Sequence, residues 1–262
     1  MRLSKSTLLT IAPSRLTSIY YRGRRAQINL TARLRRSFQA YLNRNRSARE
    51  VFSEVYSKNQ WGGGSGEWYS GVGSRFLPAD LYVKTINEFV ASHRICTVVD
   101  LGCGDFEIGK QIALEGISYT GVDIVPGLIE RNKRLFATDR IQFKCLDIAE
   151  DPLPDGDLCL VRQVLQHLSN RQIVNVLART RKFPYLIVTE HYPSRPRRYN
   201  RDKIHGSSSR VEVGSAVYLD RPPFNAQRIE LLLETIPMAE DKNGKPRILE
   251  SWGRIRTYRV IL

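Results

Sequence analysis

The chain has only four cysteines, and no two of them form a C-x-x-C pair. Cys96, Cys103, Cys145 and Cys159 therefore offer neither a zinc-ligand couple nor the framework of a stapled secreted domain. Three of them fall in or beside apolar runs, where a thiol reads as a small buried hydrophobe in a reducing compartment. No apolar run approaches the ~18–20 residues of a membrane-crossing helix, which excludes an integral membrane segment. With 42% hydrophobic and 26% charged residues over 262 positions, wholesale disorder and collagen are excluded too. That length suits one large α/β domain with a proper core.

A further lack is local. Residues 1–49 contain no Asp or Glu, yet hold twelve of the 41 Lys and Arg. The remainder carries 29 basic against 26 acidic residues, so the net charge of +15 belongs mostly to an N-terminal arm. The main domain is close to neutral, and a general polyanion surface on it is not implied. The apolar run 7–12 is short and stops at Pro13, a poor secretory signal. Leu34, Phe38, Tyr41, Leu42, Val51, Phe52 and Val55 recur at helical spacing. Three readings fit this arm: an organellar transit peptide, a basic amphipathic segment for an anionic membrane or another polyanion, and a solvated basic helix packing on its own domain.

The chain reads as a basic helical arm over 1–56, a loop over 57–80 and a main domain over 81–262. The loop spends Trp61, Trp68 and Tyr69 among glycines and serines, which suits a lid folding over something rather than a linker. Leu81–Ser92 has helical periodicity. Strands are expected at Thr97–Leu101, Tyr119–Val125, Ile141–Ile148, Asp157–Arg162 and Tyr185–Thr189. Helices are expected at Phe106–Gly116, from Pro126 to Phe136, and from the Ser169/Gln172 capping box to about Arg181. Strands alternating with helices, and apolar on both faces, mean a parallel sheet covered on each side. Residues 193–225 read as a long functional loop, Gln227–Glu234 as a short helix, and Asn243-Gly244 as a hairpin turn.

In such sheets ligands bind at the carboxyl ends of the strands. The first strand runs into Asp100-Leu101-Gly102-Cys103-Gly104, where two glycines allow a sharp turn and close approach of the backbone. The second ends at Asp123, nineteen residues after Gly104, where an acid can accept from a ribose diol. The third leads into Asp147, where an acid can meet an adenine amino group. Three acids at successive strand ends point to a nucleoside. Glu107 stands where a dinucleotide fingerprint needs its third glycine, and no G-K-[ST] is present. An acid just before G-x-G would repel a pyrophosphate and suits a cationic ligand with a free amine.

The ordered runs VVDLGCGDFEIG, YTGVDIV, FKCLDI and DLCLVRQVLQHL resemble the class I S-adenosylmethionine-dependent methyltransferases over roughly 80–262, and WGGGSG through GVGSRF is similar to a bacterial small-molecule subgroup. The resemblance implies a Rossmann-like, doubly wound, seven-stranded, mostly parallel sheet in three α/β/α layers, and S-adenosylmethionine as cofactor. It implies Asp100 beside the methionine part, Gly102, Cys103 and Gly104 beneath it, Asp123 with Ile124 at the ribose, and Asp147 with Ile148 around the adenine.

Substrates of that family sit near the fourth strand end, here Arg162-Gln163-Val164-Leu165-Gln166-His167. Gln163 is expected at the cofactor and Arg162 at the acceptor. The [DN]-P-P-[YF] pattern and a Pro-Cys nucleophile are missing there. Those absences argue against base N-methylation and cytosine C5 chemistry. His167 lies in the loop before the capping box, where a neutral imidazole could take a proton from an attacking hydroxyl or amine. Glu190 and His191 at the fifth strand end are the second candidate base cluster. The two histidines lack an obvious third ligand for a metal. Trp61, Tyr69 and Arg210 complete the acceptor candidates.

The expected function is methyl transfer to a small-molecule, glycan or lipid-linked acceptor, in the cytoplasm or at a membrane periphery. Two rivals stay open: an RNA or protein methyltransferase using the basic arm, and an inactive cofactor-binding scaffold.

Overall fold

The computed structural model describes residues 31, 34–74, 76–112, 116–240 and 245–262. It divides into two compact units, Met1–Leu42 and Asn43–Leu262. In the first, residues 34–42 are helical, and that helix runs on to 43. The second holds the sheet, and it also takes in the end of the segment expected to be arm.

Helix α1 (Ala48–Ser57) opens the large unit. Ser47 caps it: the Glu50 N–H donates to the Ser47 hydroxyl, and the Glu50 carboxylate accepts from the Ser47 N–H. Its Ala48, Phe52, Val55 and Tyr56 are buried in the core. Helix α2 (Phe76–His93) begins five residues before the periodicity suggested. Helix α3 (Pro126–Phe136) has Pro at its start, and α4 (Asn170–Thr180) has the expected Ser169/Gln172 capping box.

The strands are β1 (Thr97–Leu101), β2 (Ser118–Asp123), β3 (Ile141–Cys145), β4 (Leu158–Arg162), β5 (Tyr185–Tyr192), β6 (Arg228–Thr235), β7 (Met238–Glu240), β8 (Pro246–Ile248) and β9 (Arg254–Ile261). Seven of them form one sheet in the order β3-β2-β1-β4-β5-β9-β6. β1 to β5 pair in parallel, and β9 runs antiparallel to both β5 and β6. Alternate strand residues enter two cores. Val99, Leu101, Cys159, Val161 and Val188 pack with α1 and α4, while Val98, Leu158, Leu160, Ile187 and Tyr119 pack with α2. This is the three-layer α/β/α arrangement that near-continuous apolar strands require.

Three expectations need correction. Phe106–Gly116 is not a helix: its described part holds only a 3-10 turn, Gly109–Gln111, and 113–115 lie outside the described residues. Phe106 has φ +65, and its ring packs 5.0–5.2 Å from those of Tyr119, Phe136 and Phe143. Burying that ring outweighs local helical preference. Gln227–Glu234 is the edge strand β6, because the open side of β9 captures a short apolar run whose periodicity suits either state. The third strand stops at Cys145, so Asp147 stands on a turn. Asn243-Gly244 lies outside the described residues, although the flanking β7 and β8 pair antiparallel. No helix among the described residues is long and apolar enough to cross a membrane.

Candidate active site

A cavity of about 370 Å³ opens at the carboxyl ends of β1, β2 and β4. Its floor is the turn after β1. The Gly102 and Cys103 N–H groups both donate to the Val122 carbonyl, at 2.7 and 3.0 Å, which folds the turn back on β2. Gly102 (φ +81) and Gly104 (φ +55) lie in the left-handed region. A Cβ at Gly102 would run into the Val164 side chain, and one at Gly104 into Ser70. Both conformation and space therefore demand glycine.

Two acids beside this turn are buried. The Asp123 carboxylate accepts from the Gly104 N–H at 3.2 Å and the Val125 N–H at 3.1 Å. Asp100 accepts from the Tyr119 hydroxyl at 2.6 Å. Burial pushes both carboxyls up to about 6, against the pull of those hydrogen bonds. Asp147 is half-buried, is raised by burial, and accepts from the Ala149 N–H at 2.9 Å. Cys103, Ile124, Leu146 and Ile148 supply apolar wall between them. Desolvated carboxylates of this kind are repaid by a ligand that brings positive charge and donor groups, and the volume suits a small molecule.

The roof comes from α1 and the glycine-rich loop. The Asp105 N–H donates to Ser70 Oγ at 2.7 Å, the Ser70 N–H returns to Asp105 at 3.2 Å, and the Tyr56 and Ser70 hydroxyls lie 2.9 Å apart. The Trp61 indole N–H donates to the Ser207 carbonyl at 3.0 Å. Tyr69 instead packs across Gly62 and Gly63 and does not line the cavity, contrary to its expected contact with the acceptor.

The β4 end lines the other half. Arg162 lies over the Tyr82 ring at 4.9 Å and donates to the Gly73 carbonyl at 2.6 Å. Gln163 takes φ +55, rare for a residue with a side chain, and its N–H donates to the Thr189 carbonyl at 2.7 Å. That strained backbone turns the chain into the 3-10 segment Leu165–His167.

His167 lines the cavity with its ring 5.1 Å from that of Trp61. Its Nδ1 lies 3.3 Å from the Gly206 carbonyl. A carbonyl only accepts, so Nδ1 carries the hydrogen and Nε2 keeps its lone pair. Burial, then the Lys203 ammonium, pushes the imidazole down to about 3. Lys203 donates to the carbonyls of His167, Gly206 and Ser208 at 3.3, 3.4 and 2.6 Å.

Besides Tyr69, three more candidate residues stand off the cavity. Glu190 is fully buried behind it and accepts from the N–H groups of Leu165 (2.8 Å) and Gln166 (3.2 Å). It braces the turn that carries His167. His191 is engaged through Nε2 with the Trp252 carbonyl at 2.9 Å. Arg210, read as a loop arginine for an anionic acceptor, is 1% exposed and donates to the carbonyls of Arg201 and Leu168. A backbone turn follows it, with the Val213 N–H donating to the Arg210 carbonyl and the Gly214 N–H to the Val211 carbonyl.

Sequence reasoning missed Phe52 and Tyr56 of α1, together with Ser70, Tyr82, Ser207, Ser209, Glu212 and Trp252, all of which line the cavity. The Ser47/Glu50 pair is a capping box like that of Ser169/Gln172 and could have marked α1. The others carry no local signal, since only long-range packing brings them to the cleft.

Residues 98–183 match the family model described as a methyltransferase domain. No curated protein matches the chain in sequence. Among solved structures the chain is similar to the N-methyltransferase NodS from Bradyrhizobium japonicum WM9 in complex with S-adenosyl-L-homocysteine (12% identity, 70% of this chain and 87% of that one, TM-score 0.46). It is similar also to magnesium protoporphyrin IX methyltransferase from Synechocystis PCC 6803 with bound S-adenosylmethionine (13%, 82% and 98%, TM-score 0.49). A third is 1,6-didemethyltoxoflavin-N1-methyltransferase from Burkholderia thailandensis (16%, 82% and 87%, TM-score 0.49). The family match lies across β1 to α4, with the acids standing at the ends of its strands, and residues 98–183 form a methyltransferase domain.

Proposed function

We propose that the chain transfers the methyl group of S-adenosylmethionine to a hydroxyl or amine of a small-molecule, glycan or lipid-linked acceptor. The observation that carries this reading is the continuity of one cavity from the acids at β1 and β2 to His167 and Trp61. Asp100, Gly102 and Gly104 would hold the methionine end, Asp123 the ribose and Asp147 with Ile148 the adenine. When bound, the cofactor supplies an electrophilic methyl group on a sulfonium.

The chain's own residues align and shield. The roof of Tyr56, Trp61 and Ser70 excludes water, and orientation in a closed site can supply about 7–11 kcal/mol of the barrier. His167 Nε2 accepts a hydrogen bond from the acceptor hydroxyl and fixes its direction. A base held near 3 is weak. It suffices for a hydroxyl, because an oxygen gaining a methyl group becomes a strong acid and sheds its proton readily. The rings of Trp61 and Trp252 offer flat apolar contact to a ring-bearing acceptor.

The test is calorimetric titration with S-adenosylmethionine, S-adenosylhomocysteine and NADH, followed by transfer of labelled methyl to panels of glycans, lipid extracts and RNA. Micromolar binding of the first two and none of NADH, with label entering the glycan or lipid fraction, is expected. Label in RNA would favour a nucleic-acid substrate, and binding without transfer to any panel would favour a scaffold.

A further inference from the structure

The helix over residues 34–43 leaves Leu34, Phe38, Tyr41 and Leu42 61%, 63%, 71% and 46% exposed. Their spacing of four, three and one places them on a single face, within about 100° of arc at 100° per residue. Singly exposed apolar residues are ordinary, but four on one stripe, two of them aromatic, are a contiguous patch. Arg35 and Arg36 lie on the same helix outside that stripe, and Arg44 follows it. The first acid of the chain is Glu50.

We propose that this helix docks on the surface of an anionic lipid bilayer. The occupant must meet two demands together. It must cover an apolar stripe, and it must tolerate a segment with twelve positive charges and no negative one. A nucleic acid meets the second but offers no continuous apolar surface for Leu34, Phe38 and Leu42. A second copy of this chain would bring twelve more positive charges to the first. The boundary between acyl chains and anionic headgroups meets both, with Phe38 and Leu34 among the chains, Tyr41 at the headgroup level and the arginines on the phosphates. The ten described residues 34–43 span about 15 Å, and among the described residues no helix is long and apolar enough to cross, so this one is placed in the interface. The proposal does not depend on the methyl acceptor.

The test is vesicle co-sedimentation of the full chain, with phosphatidylcholine alone and with added phosphatidylglycerol, at low and high salt. The expected result is at least tenfold more protein bound to the anionic vesicles, falling with salt. The Phe38→Ser, Tyr41→Ser double variant should lose most of that binding while keeping the wild-type melting temperature. Phe38→Leu should retain it. Phe38→Trp, a variant that keeps the apolar stripe, should gain fluorescence quenching by brominated acyl chains. Equal binding to both vesicle types, or binding unchanged in the double variant, would overturn the proposal. So would a dimer in sedimentation equilibrium that the double variant abolishes, or absence of quenching in Phe38→Trp.

Discussion

The Trp61 indole N–H and the Ser207 carbonyl meet at 3.0 Å across 146 positions of chain, and this bond joins the glycine-rich loop to the long loop after β5. The same indole meets Tyr56 edge-on at 5.3 Å and His167 at 5.1 Å. Trp61 is thus the point where three separate segments of the roof converge. Trp61→Phe keeps the ring and loses the bond, and should cost about 0.5–1.5 kcal/mol of stability. Trp61→Ala should cost more and raise hydrogen exchange at residues 207–209. Unchanged exchange there would mean that Lys203 holds the loop unaided.

Asp123 is the acid whose loss should be felt first by the cofactor. Asp123→Ala should weaken S-adenosylmethionine binding by ~1.5–3 kcal/mol, the range for a hydrogen bond to a charged group. That corresponds to roughly 10–150-fold in affinity by calorimetry. A folded variant that binds like wild type would remove the assignment of Asp123 to the ribose.

Removing the imidazole should separate binding from turnover. His167→Ala should leave cofactor affinity intact and lower turnover of a hydroxyl acceptor by about 10²–10⁴-fold. Since burial holds His167 near 3, its protonation should impose no limb near pH 6.5. Wild type and His167→Ala should therefore share the same limbs, including any from Asp100 and Asp123 near 6. A limb centred at 6.5 that vanishes in the variant would show the imidazole to be exposed during turnover.

Gly104→Ala places a Cβ against Ser70 on a left-handed backbone. Something must shift, and the nearest atoms belong to the loop that roofs the cleft. The variant should lose detectable cofactor binding and melt at lower temperature, with limited proteolysis showing earlier cleavage in the 61–74 loop. Wild-type binding would show that the loop moves aside without cost.

Burial raises Glu190 from an ordinary 4.5 to about 8, with the Leu165 and Gln166 N–H groups and the Arg210 guanidinium opposing it. Between those values the folded chain holds a proton that the unfolded chain has released. The contribution to stability is full below about 4.5 and is lost as the pH rises through about 8. Glu190→Gln loses an acceptor at every pH but removes this slope. Melting temperatures at pH 5 and pH 8.5 should therefore differ less in the variant than in wild type. Asp100 and Asp123 act in the same sense, and His167 in the opposite sense, in both proteins, so the difference of slopes isolates Glu190.

What the sequence by itself determined is the part of the molecule written in neighbours. The β1 turn, Asp123 nineteen residues on, Asp147 and the Ser169 cap are each decided within a few positions, by left-handed glycines, apolar runs and local hydrogen bonds. They could be read, and the cavity is lined by every residue expected to hold the cofactor. Tertiary structure decided the rest. Glu190 and His191 belong to the same strand end as expected, but strand pairing turns one behind the His167 loop and the other toward Trp252. Arg210 read as an arginine for an anionic acceptor because its carbonyl partners lie 9 and 42 positions away. The segment Arg228–Thr235 became a strand only because β9 offered it an edge, and Phe106 left helical geometry to bury its ring. In each case the deciding energy is burial or pairing with residues remote in the chain, which a local pattern does not encode.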